Sequence, residues 1–471
     1  MKYLLVLIAG GLNVLSYSPF EWWYALLPSF AILFYCWSNA TSGQAFRLGF
    51  FFGLGQFGAG VSWVYVSIQT FGGMPPTLAA VCVVAFIFLL SFFPAFAGLL
   101  QSWFTRWAFL TRVAVLMPVS FLLFEWLRGW VLTGLPWLST GYAMLPTPLV
   151  NYAPVGGVYL VGLLALFSIG ALMAIIRDAN TRTTLATIFA ATVWFGGFYL
   201  DQHSFTSPEG EPIKVALIQN NIPLLDKWDQ RRKLEIVSGY IQASSAHTDK
   251  DLVVWPEGAM PEYVENLPPQ FWSTLEQHPA DFAFGALSSP SSENGRYFNS
   301  LVGVSDERTI YNKQHLVPFG EFFPFQEILD PVLQYLTIPM ADFTPWNRSQ
   351  PPVPLAGHNA AVSICYEDAF PHEWRSDVAQ SGFLLNISED MWFGNSLAPH
   401  QRLQMAQFRA RESERPMVRS SNNGLSSLIS AKGRVLTIAP QFQEAVVEGE
   451  IQPRLGITPF VQYGDLPALI R

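Results

Sequence analysis

A thiol, a carboxylate and an amine stand at or near the ends of three apolar runs. Cys365 closes Val362-Ser363-Ile364 and is followed by Tyr366-Glu367-Asp368. Glu257 closes Leu252-Val253-Val254-Trp255-Pro256, and Lys313 lies inside Thr309-Ile310-Tyr311-Asn312-Lys313-Gln314-His315-Leu316. A thiol where a buried strand meets a polar turn is held by rigid backbone yet reachable, as a nucleophile must be. Taken alone, Cys365 also reads as a small buried hydrophobe, since free cysteine is among the most buried residue types. Cysteine acyl chemistry needs a thiolate, a proton acceptor and an oxyanion donor. Cys365 would attack a carbonyl, Glu257 would take the thiol proton and return it, and Lys313 would stabilise the oxyanion together with the backbone N–H of Tyr366. The lysine would also favour the thiolate by charge.

Other chemistries find less in the chain. Cys36 and Cys82 lie in apolar runs and read as packing, and three cysteines cannot close a disulfide framework. A Cys–His pair through His315 is conceivable, but no Gly-rich cysteine-protease signature surrounds Cys365. His372-Glu373-Trp374-Arg375-Ser376 lacks the second histidine of a zinc helix, and neither a Walker loop nor a dinucleotide fingerprint occurs. No metal and no cofactor are expected.

These residues sit in a chain of two unlike halves. Its 471 residues are 51% hydrophobic and 13% charged, about half the usual charged share, which argues against one soluble globule. A net charge of −8 argues against a nucleic-acid footprint. Seven apolar runs occupy residues 1–200, at about 4–17, 22–37, 48–68, 78–104, 113–130, 155–176 and 185–200. Most approach the ~20 residues that cross hydrocarbon, and the first two, though short, read as a helical hairpin. The expectation is a polytopic α-helical membrane domain with seven spans. Taking alternate loops, one side carries Lys2, Arg47, Arg106, Arg112, Arg177 and Arg182, and the other only Arg128. The first side should be cytoplasmic, which places everything after Leu200 outside. Gly53, Gly55, Gly58 and Gly60 suit close helix packing. Glu125 and Arg128, three apart, read as a buried ion pair or a lipid-headgroup contact.

A polar linker at 201–212 leads to a half in which strands and helices alternate, at 213–455, with a tail at 456–471. Strands are expected at 213–221, 252–257, 282–288, 298–304, 309–317, 360–367 and 384–387, with helices at 226–245 and 399–413 and a hairpin at 425–439. Such alternation argues for a layered α/β domain.

Strand-end Glu257, strand Lys313 and strand-end Cys365, in that order, resemble the nitrilase (carbon–nitrogen hydrolase) superfamily, which implies an αββα sandwich with a Glu-Lys-Cys triad. In that superfamily a second glutamate lies beside the triad; Glu321 in Pro318-Phe319-Gly320-Glu321 matches it, against the reading of a solvated loop acid. Glu367 and Asp368 would orient Lys313 or cap the next turn.

With the membrane half in front, the chain resembles the bacterial apolipoprotein N-acyltransferases. The resemblance runs through Gln219-Asn220-Asn221-Ile222-Pro223, Lys227-Trp228, Trp255-Pro256-Glu257, Tyr311-Asn312-Lys313, His315-Leu316-Val317-Pro318-Phe319-Gly320-Glu321 and Cys365-Tyr366-Glu367. It continues through Trp392-Phe393-Gly394, Pro399-His400-Gln401 and Arg419-Ser420-Ser421-Asn422-Asn423-Gly424. It implies a ping-pong reaction at the periplasmic face of the inner membrane: the sn-1 acyl chain of a phospholipid passes to Cys365 as a thioester, then to the α-amine of a diacylglyceryl-cysteine on an apolipoprotein. Carried over, Glu257 is the base, Lys313 the oxyanion stabiliser and Cys365 the nucleophile, with Trp228, Glu321, Tyr366 and Glu367 in support. A monomer is expected.

A membrane-bound substrate also fits the energetics, because drawing a palmitoyl-sized chain into water costs ~0.8 kcal/mol per CH₂, on the order of 12 kcal/mol. The segment from Phe319 towards Cys365, with Tyr335, Phe343 and Trp346, would form the mouth of the site, or else ordinary core under a long loop. The family has an eighth span after the catalytic domain; here Leu466-Pro467-Ala468-Leu469-Ile470-Arg471 is too short to cross, so that span is either cut away or lacking. Two other functions share these residues: a membrane-tethered amidase or nitrilase acting on a small external amide, and a catalytically dead scaffold. The first needs no phospholipid, and the second is opposed by the intact Glu257, Lys313 and Cys365.

Overall fold

The seven apolar runs of the first half form helices: α1 (Lys2–Asn13), α2 (Leu26–Ser38), α3 (Ser42–Gly60), α4 (Pro76–Ser102), α5 (Met117–Arg128), α6 (Ala153–Arg177) and α7 (Thr181–Asp201). They belong to a computed structural model that describes residues 1–229, 231–293, 295–322 and 343–465. Capping boxes start α3 at Thr41 and Gln44 and α7 at Asn180 and Thr183, satisfying orphan N–H groups where the chain turns.

Among the described residues, four helical segments are long and apolar enough to cross a membrane: Pro76–Ser102, Phe109–Arg128, Pro148–Arg177 and Thr181–Asp201. A fifth arises if Ser42–Gly60 and Val64–Phe71, bent by 58° at their break, form one span. The first two runs, Lys2–Ser16 and Trp23–Ser38, are shorter apolar helices, so the structure gives four or five such spans where seven were expected. A run of that length falls short of the hydrocarbon thickness. Instead α1 packs closely on α3. A Cβ on Gly10 would lie 2.0 Å from the Phe52 carbonyl oxygen, and one on Gly55 would lie 2.0 Å from that of Leu7. Gly58, expected to serve the same packing, has nothing within 4 Å of the position its Cβ would take.

Glu125 and Arg128 face each other at 3.8 Å, and both also hold the loop that follows α5. Arg128 donates to the carbonyls of Leu135 (2.8 Å) and Trp137, and Glu125 accepts from the Thr140 N–H (2.7 Å) and hydroxyl (3.1 Å). The ion-pair reading stands, with an added task. The pair fixes residues 135–140, against which the second half docks.

The second half contains two six-stranded sheets among the described residues. Its strands are β1 (Ile213–Gln219), β2 (Leu252–Val254), β3 (Asp281–Ser288), β4 (Phe298–Val304), β5 (Arg308–Asn312), β6 (Val353–Leu355), β7 (His358–Ile364), β8 (Phe383–Ser388), β9 (Met417–Ser421), β10 (Ser427–Ile429), β11 (Val435–Ile438) and β12 (Ala445–Ile451). One sheet runs β12-β1-β2-β3-β4-β5, with β1, β2 and β3 parallel. The other runs β11-β10-β9-β8-β7-β6, with β7, β8 and β9 parallel.

Side-chain alternation builds the layers. Val215 and Leu217 of β1 face Val362, Leu385 and Val418 between the sheets, whereas Ala216 and Ile218 face helices α8 (Lys233–Ser245) and α9 (Pro269–Glu276). On the far side, Ala361 and Leu384 pack under α10 (Pro371–Val378) and α11 (Ala398–Ser413). This is the αββα sandwich expected of the nitrilase-like half. Its α11 is buried on both sides: Leu403 and Ala406 meet the sheet, while Met405 and Phe408 join the core of the membrane half.

Two expected elements differ. The strand expected at 309–317 ends at Asn312, so Lys313 begins a loop rather than sitting within a strand. Its side chain is thereby freed from the alternation of the sheet. The helix expected at 226–245 is a short turn, Leu224–Lys227, followed by α8 from Lys233. Lys227 is drawn inward to a buried carboxylate, a position a continuous amphipathic helix would not give it. The polar stretch after α7 is tied down, because Glu414 accepts from the Phe205 N–H (2.8 Å) and Thr206 N–H (3.1 Å). Residues 466–471, which carry the eighth-span reading, lie outside the described residues, as does Tyr335.

Candidate active site

Parallel strands of both sheets end at the same place. Glu257 follows β2, Cys365 follows β7, Glu389 and Asp390 follow β8, and Asn422 follows β9. Outside the carboxyl ends of parallel strands, backbone stops pairing and side chains of neighbouring strands converge.

Cys365 occupies a strained backbone position, with φ of +52°, where β7 breaks into the 3-10 turn Cys365–Ala369. Few non-glycine residues adopt such a φ, and those that do cluster at functional sites. The turn is clamped by Glu367, which accepts four hydrogen bonds. They come from the N–H groups of Ile364 (2.7 Å), Gln314 (2.6 Å) and His315 (3.1 Å), and from the Tyr311 hydroxyl (3.2 Å). Glu367 therefore caps its own turn and grips the backbone just after Lys313. It serves the lysine through the main chain and not by pairing with its amine. Burial pushes its carboxyl up to about 7, against the pull of those N–H groups and of Lys313.

Lys313 is 1% exposed and donates to Glu321 Oε1 at 2.8 Å, with Glu257 Oε1 at 3.8 Å. Asn299 on β4 bridges the two acids, donating to Glu257 at 2.7 Å and to Glu321 at 3.1 Å. Strand register explains the grouping. Ser300 pairs with Asn312, so the next bond joins the Lys313 N–H to the Asn299 carbonyl at 2.8 Å. Glu257 sits opposite Gly285, where a Cβ would come within 2.6 Å of the Glu257 Cα; only glycine allows this approach. Among the described residues nothing bonds Glu257 Oε2, which leaves a buried carboxylate oxygen free to accept a proton.

The thiol of Cys365 feels all of these groups. Burial above all, then the charges of Glu257 and Glu321, push it up to about 12 against the downward pull of Arg402 and Lys313. Surroundings that raise the thiol so far favour its neutral form, so a nucleophilic role for Cys365 would call for a proton acceptor rather than a standing thiolate. The opposing acids also keep Lys313 charged, raising its pKa despite burial.

Tyr366 faces away from this chemistry. Its hydroxyl donates to the Gly134 carbonyl at 2.9 Å and its ring stacks on Trp137, so the turn that carries Cys365 docks on the membrane half. Trp228 lies beside the Glu257 turn, 3.8 Å from the position of a Cβ on Gly258. Asp368 lies 3.6 Å from Arg402. His315 bonds Glu373 at 2.7 Å and stacks on Phe370, which turns it towards the domain interface rather than towards a cysteine–histidine pair. Phe343 packs on Tyr297 and Trp346 on Phe298, both half-buried and outside the hydrophobic cores, while Phe319 is half exposed.

Sequence reasoning missed the layer beneath. Arg402 of α11 donates to the Cys365 carbonyl at 2.8 Å and to Asp390 at 2.5 Å, and Arg419 meets Asp390 at 3.0 Å. Lys227 pairs with Glu389 and donates to the Glu257 carbonyl at 3.0 Å. The available signal was a pair of acids closing the apolar strand Phe383–Ser388, together with arginines and amides in otherwise buried elements.

Comparison with known proteins places the whole chain. The model of the apolipoprotein N-acyltransferase N-terminal domain matches residues 9–171, and that of carbon–nitrogen hydrolases matches residues 214–458. Over 477 aligned residues the chain is 39% identical to the apolipoprotein N-acyltransferase of Methylococcus capsulatus, covering 100% of this chain and 94% of that protein. The chain belongs to the apolipoprotein N-acyltransferase family. The apolipoprotein N-acyltransferase of Vibrio vulnificus is 35% identical, with 98% of this chain and 93% of that protein covered. A solved carbon–nitrogen hydrolase from Helicobacter pylori aligns with 51% of this chain and 89% of its own, at 16% identity and a TM-score of 0.38. As an apolipoprotein N-acyltransferase by family, the chain combines an apolar helical half with a nitrilase-like half, and its site lies where the two meet.

Proposed function

We propose that this chain moves an acyl chain from the sn-1 position of a phospholipid to the α-amine of a diacylglyceryl-cysteine at the N-terminus of an apolipoprotein, through a thioester on Cys365. The observation that carries this reading is the convergence of a carboxylate oxygen without a partner among the described residues and a charged lysine on a buried thiol whose turn docks against the membrane half. In the first half-reaction Cys365 Sγ attacks the ester carbonyl while Glu257 Oε2 takes the thiol proton. The oxyanion is met by Lys313 Nζ and the N–H of Tyr366. The C–O bond then breaks, and Glu257 hands its proton to the departing glycerol oxygen, which leaves as the lysophospholipid hydroxyl. In the second, the α-amine attacks the thioester, Glu257 accepts an amine proton, and Sγ leaves and is reprotonated as the amide forms. Trp228, Glu321, Tyr366 and Glu367 hold these parts in place.

The orientation follows from charge. Arg177 ends α6 and Arg182 starts α7, whereas Asp201 at the other end of α7 leads into the nitrilase-like half. Basic residues favour the cytoplasmic side, so the catalytic half belongs to the periplasmic face of the inner membrane. There the acyl chain stays in the outer leaflet while its ester reaches the site. One copy of the chain is proposed to carry out both half-reactions.

The test is to supply purified protein in detergent with phospholipid and a diacylglyceryl-cysteine peptide. An N-acylated peptide with stoichiometric lysophospholipid is expected. Hydrolysis of a small soluble amide, with no peptide product, would favour the tethered amidase instead.

Glu367 sets a pH dependence. Four donors converge on its carboxylate, and its pKa of about 7 means that acid protonates it and weakens the clamp. Acyl-enzyme formation should therefore fall as pH drops below about 7. Glu367→Gln, which places a donor against donors, should be slow at every pH and lose that acid limb. A retained limb in the variant would assign it to another group.

A further inference from the structure

Resting on the role proposed above for Glu257, we infer that Lys227 is a positioning residue that fixes the Glu257 turn from behind through its ion pair with Glu389. Lys227 is 2% exposed, and its ammonium reaches two groups: the Glu389 carboxylate and, at 3.0 Å, the backbone carbonyl of Glu257. It thus holds the main chain of the base and leaves the carboxylate of Glu257 to Asn299 and Lys313. Close packing reinforces the contact, since a Cβ on Gly258 would lie 3.4 Å from Lys227 Cδ. Gly258 has φ of +59°, and the Met260 N–H on the Gly285 carbonyl (2.9 Å) holds the far side of the same turn, so Lys227 adds a side-chain clamp on its near side.

Glu389 is itself anchored. Asn422 donates to its Oε2 at 3.0 Å and to the Ile222 carbonyl at 2.7 Å, so the residues leading to Lys227 and Trp228 are tied to the same carboxylate. Two residues past Asp390, the Trp392 carbonyl accepts from Ser67 (2.8 Å) in the bent continuation of α3, and Phe393 meets Trp63 edge-on at 5.0 Å. Lys227 therefore joins three segments at one point: the loop of Trp228, the turn of the base, and a turn seated on the membrane half. None of its bonds goes to Cys365 or Lys313, so its influence on the chemistry has to pass through Glu257.

That route fixes the sign of a measurable effect. Glu257 raises the pKa of the Cys365 thiol, whereas cations lower it. If Lys227 acted only as a nearby positive charge, removing it would move alkylation of Cys365 to higher pH. If it holds Glu257 in place, removing it lets the carboxylate drift from the thiol and moves alkylation to lower pH, the direction expected of Glu257→Gln. The experiment is to follow iodoacetamide labelling of Cys365 against pH, by intact mass, in the full chain and in Lys227→Met, Glu257→Gln and the double variant. Lys227→Met with Glu389→Gln provides a second form in which no buried charge is left unpaired.

The expected result is a shift to lower pH in both Lys227 variants, with no further shift when Glu257→Gln is already present. Acyl-enzyme formation from phosphatidylethanolamine should fall on the order of a hundred-fold in Lys227→Met, the effect of misplacing a reacting group by about 1 Å. An unchanged profile, a shift to higher pH, or an equal shift in the Glu257→Gln background would overturn the inference. Absence of any acyl-enzyme in the unaltered protein would instead contradict the proposed reaction, and the labelling profiles would still decide the role of Lys227.

Discussion

Replacing Lys313 with methionine is expected to slow acyl-enzyme formation on the order of a hundred- to a thousand-fold, the usual effect of removing one oxyanion donor. The position makes a milder outcome hard to reach. Lys313 lies between Glu321 at 2.8 Å and Glu257 at 3.8 Å, and Asn299 already bonds both acids. Without the ammonium, two largely buried carboxylates face each other with no cation between them. The thiol also loses one of the two cations that hold its pKa down against burial, so its alkylation should move to still higher pH. Single-turnover acylation and a labelling profile measure the two effects separately. Near-normal acylation in this variant would remove Lys313 from the proposed mechanism.

Glu257→Gln should be comparably damaging to turnover, with general-base loss worth roughly 10²- to 10⁴-fold, but should move the thiol the other way. Glu257 is the charge that most raises the Cys365 pKa after burial itself, so its removal should let the thiol label at lower pH even as acylation collapses. The opposite shifts distinguish a proton acceptor from a group that merely activates sulfur. A glutamate serving only to lower the thiol pKa would move labelling upward when removed. The amide can still accept from Asn299, so the local hydrogen bonding of Oε1 need not be lost with the charge.

The thiol links folding to pH as well. Burial above all pushes it up to about 12 in the folded chain, above the ordinary thiol value of 9.0. The stability it contributes is therefore complete below about 9 and is lost as pH rises towards 12.

Much of the site was legible because its chemistry sits where periodicity stops. Trp255-Pro256-Glu257 and Ile364-Cys365-Tyr366 each show an apolar strand ending on a reactive group, and the structure brings those ends together with Lys313. The boundary of β5 was less legible, since Thr309 to Leu316 keeps an apolar flavour past Asn312 and only the pairing with β4 shows where the ladder ends. Lys227 and Glu389 are 162 positions apart, and nothing in the local sequence of either marks a buried partner. Arg402 likewise reads as a solvated helix residue until α11 is seen to be covered on both sides, by its sheet and by the membrane half. The short first helices were overcounted for a related reason. An apolar run reports burial, and lipid is only one way to achieve it.

Acyl transfer by way of a thioester turns on the chemical fate of Cys365. Intact-protein mass spectrometry after incubation with phospholipid alone, in detergent, addresses it without any acceptor. The prediction is one fatty-acyl mass per chain, located on Cys365, released by hydroxylamine, absent from Cys365→Ala and discharged by a diacylglyceryl-cysteine peptide. An unmodified thiol under conditions where the same preparation N-acylates that peptide would contradict it.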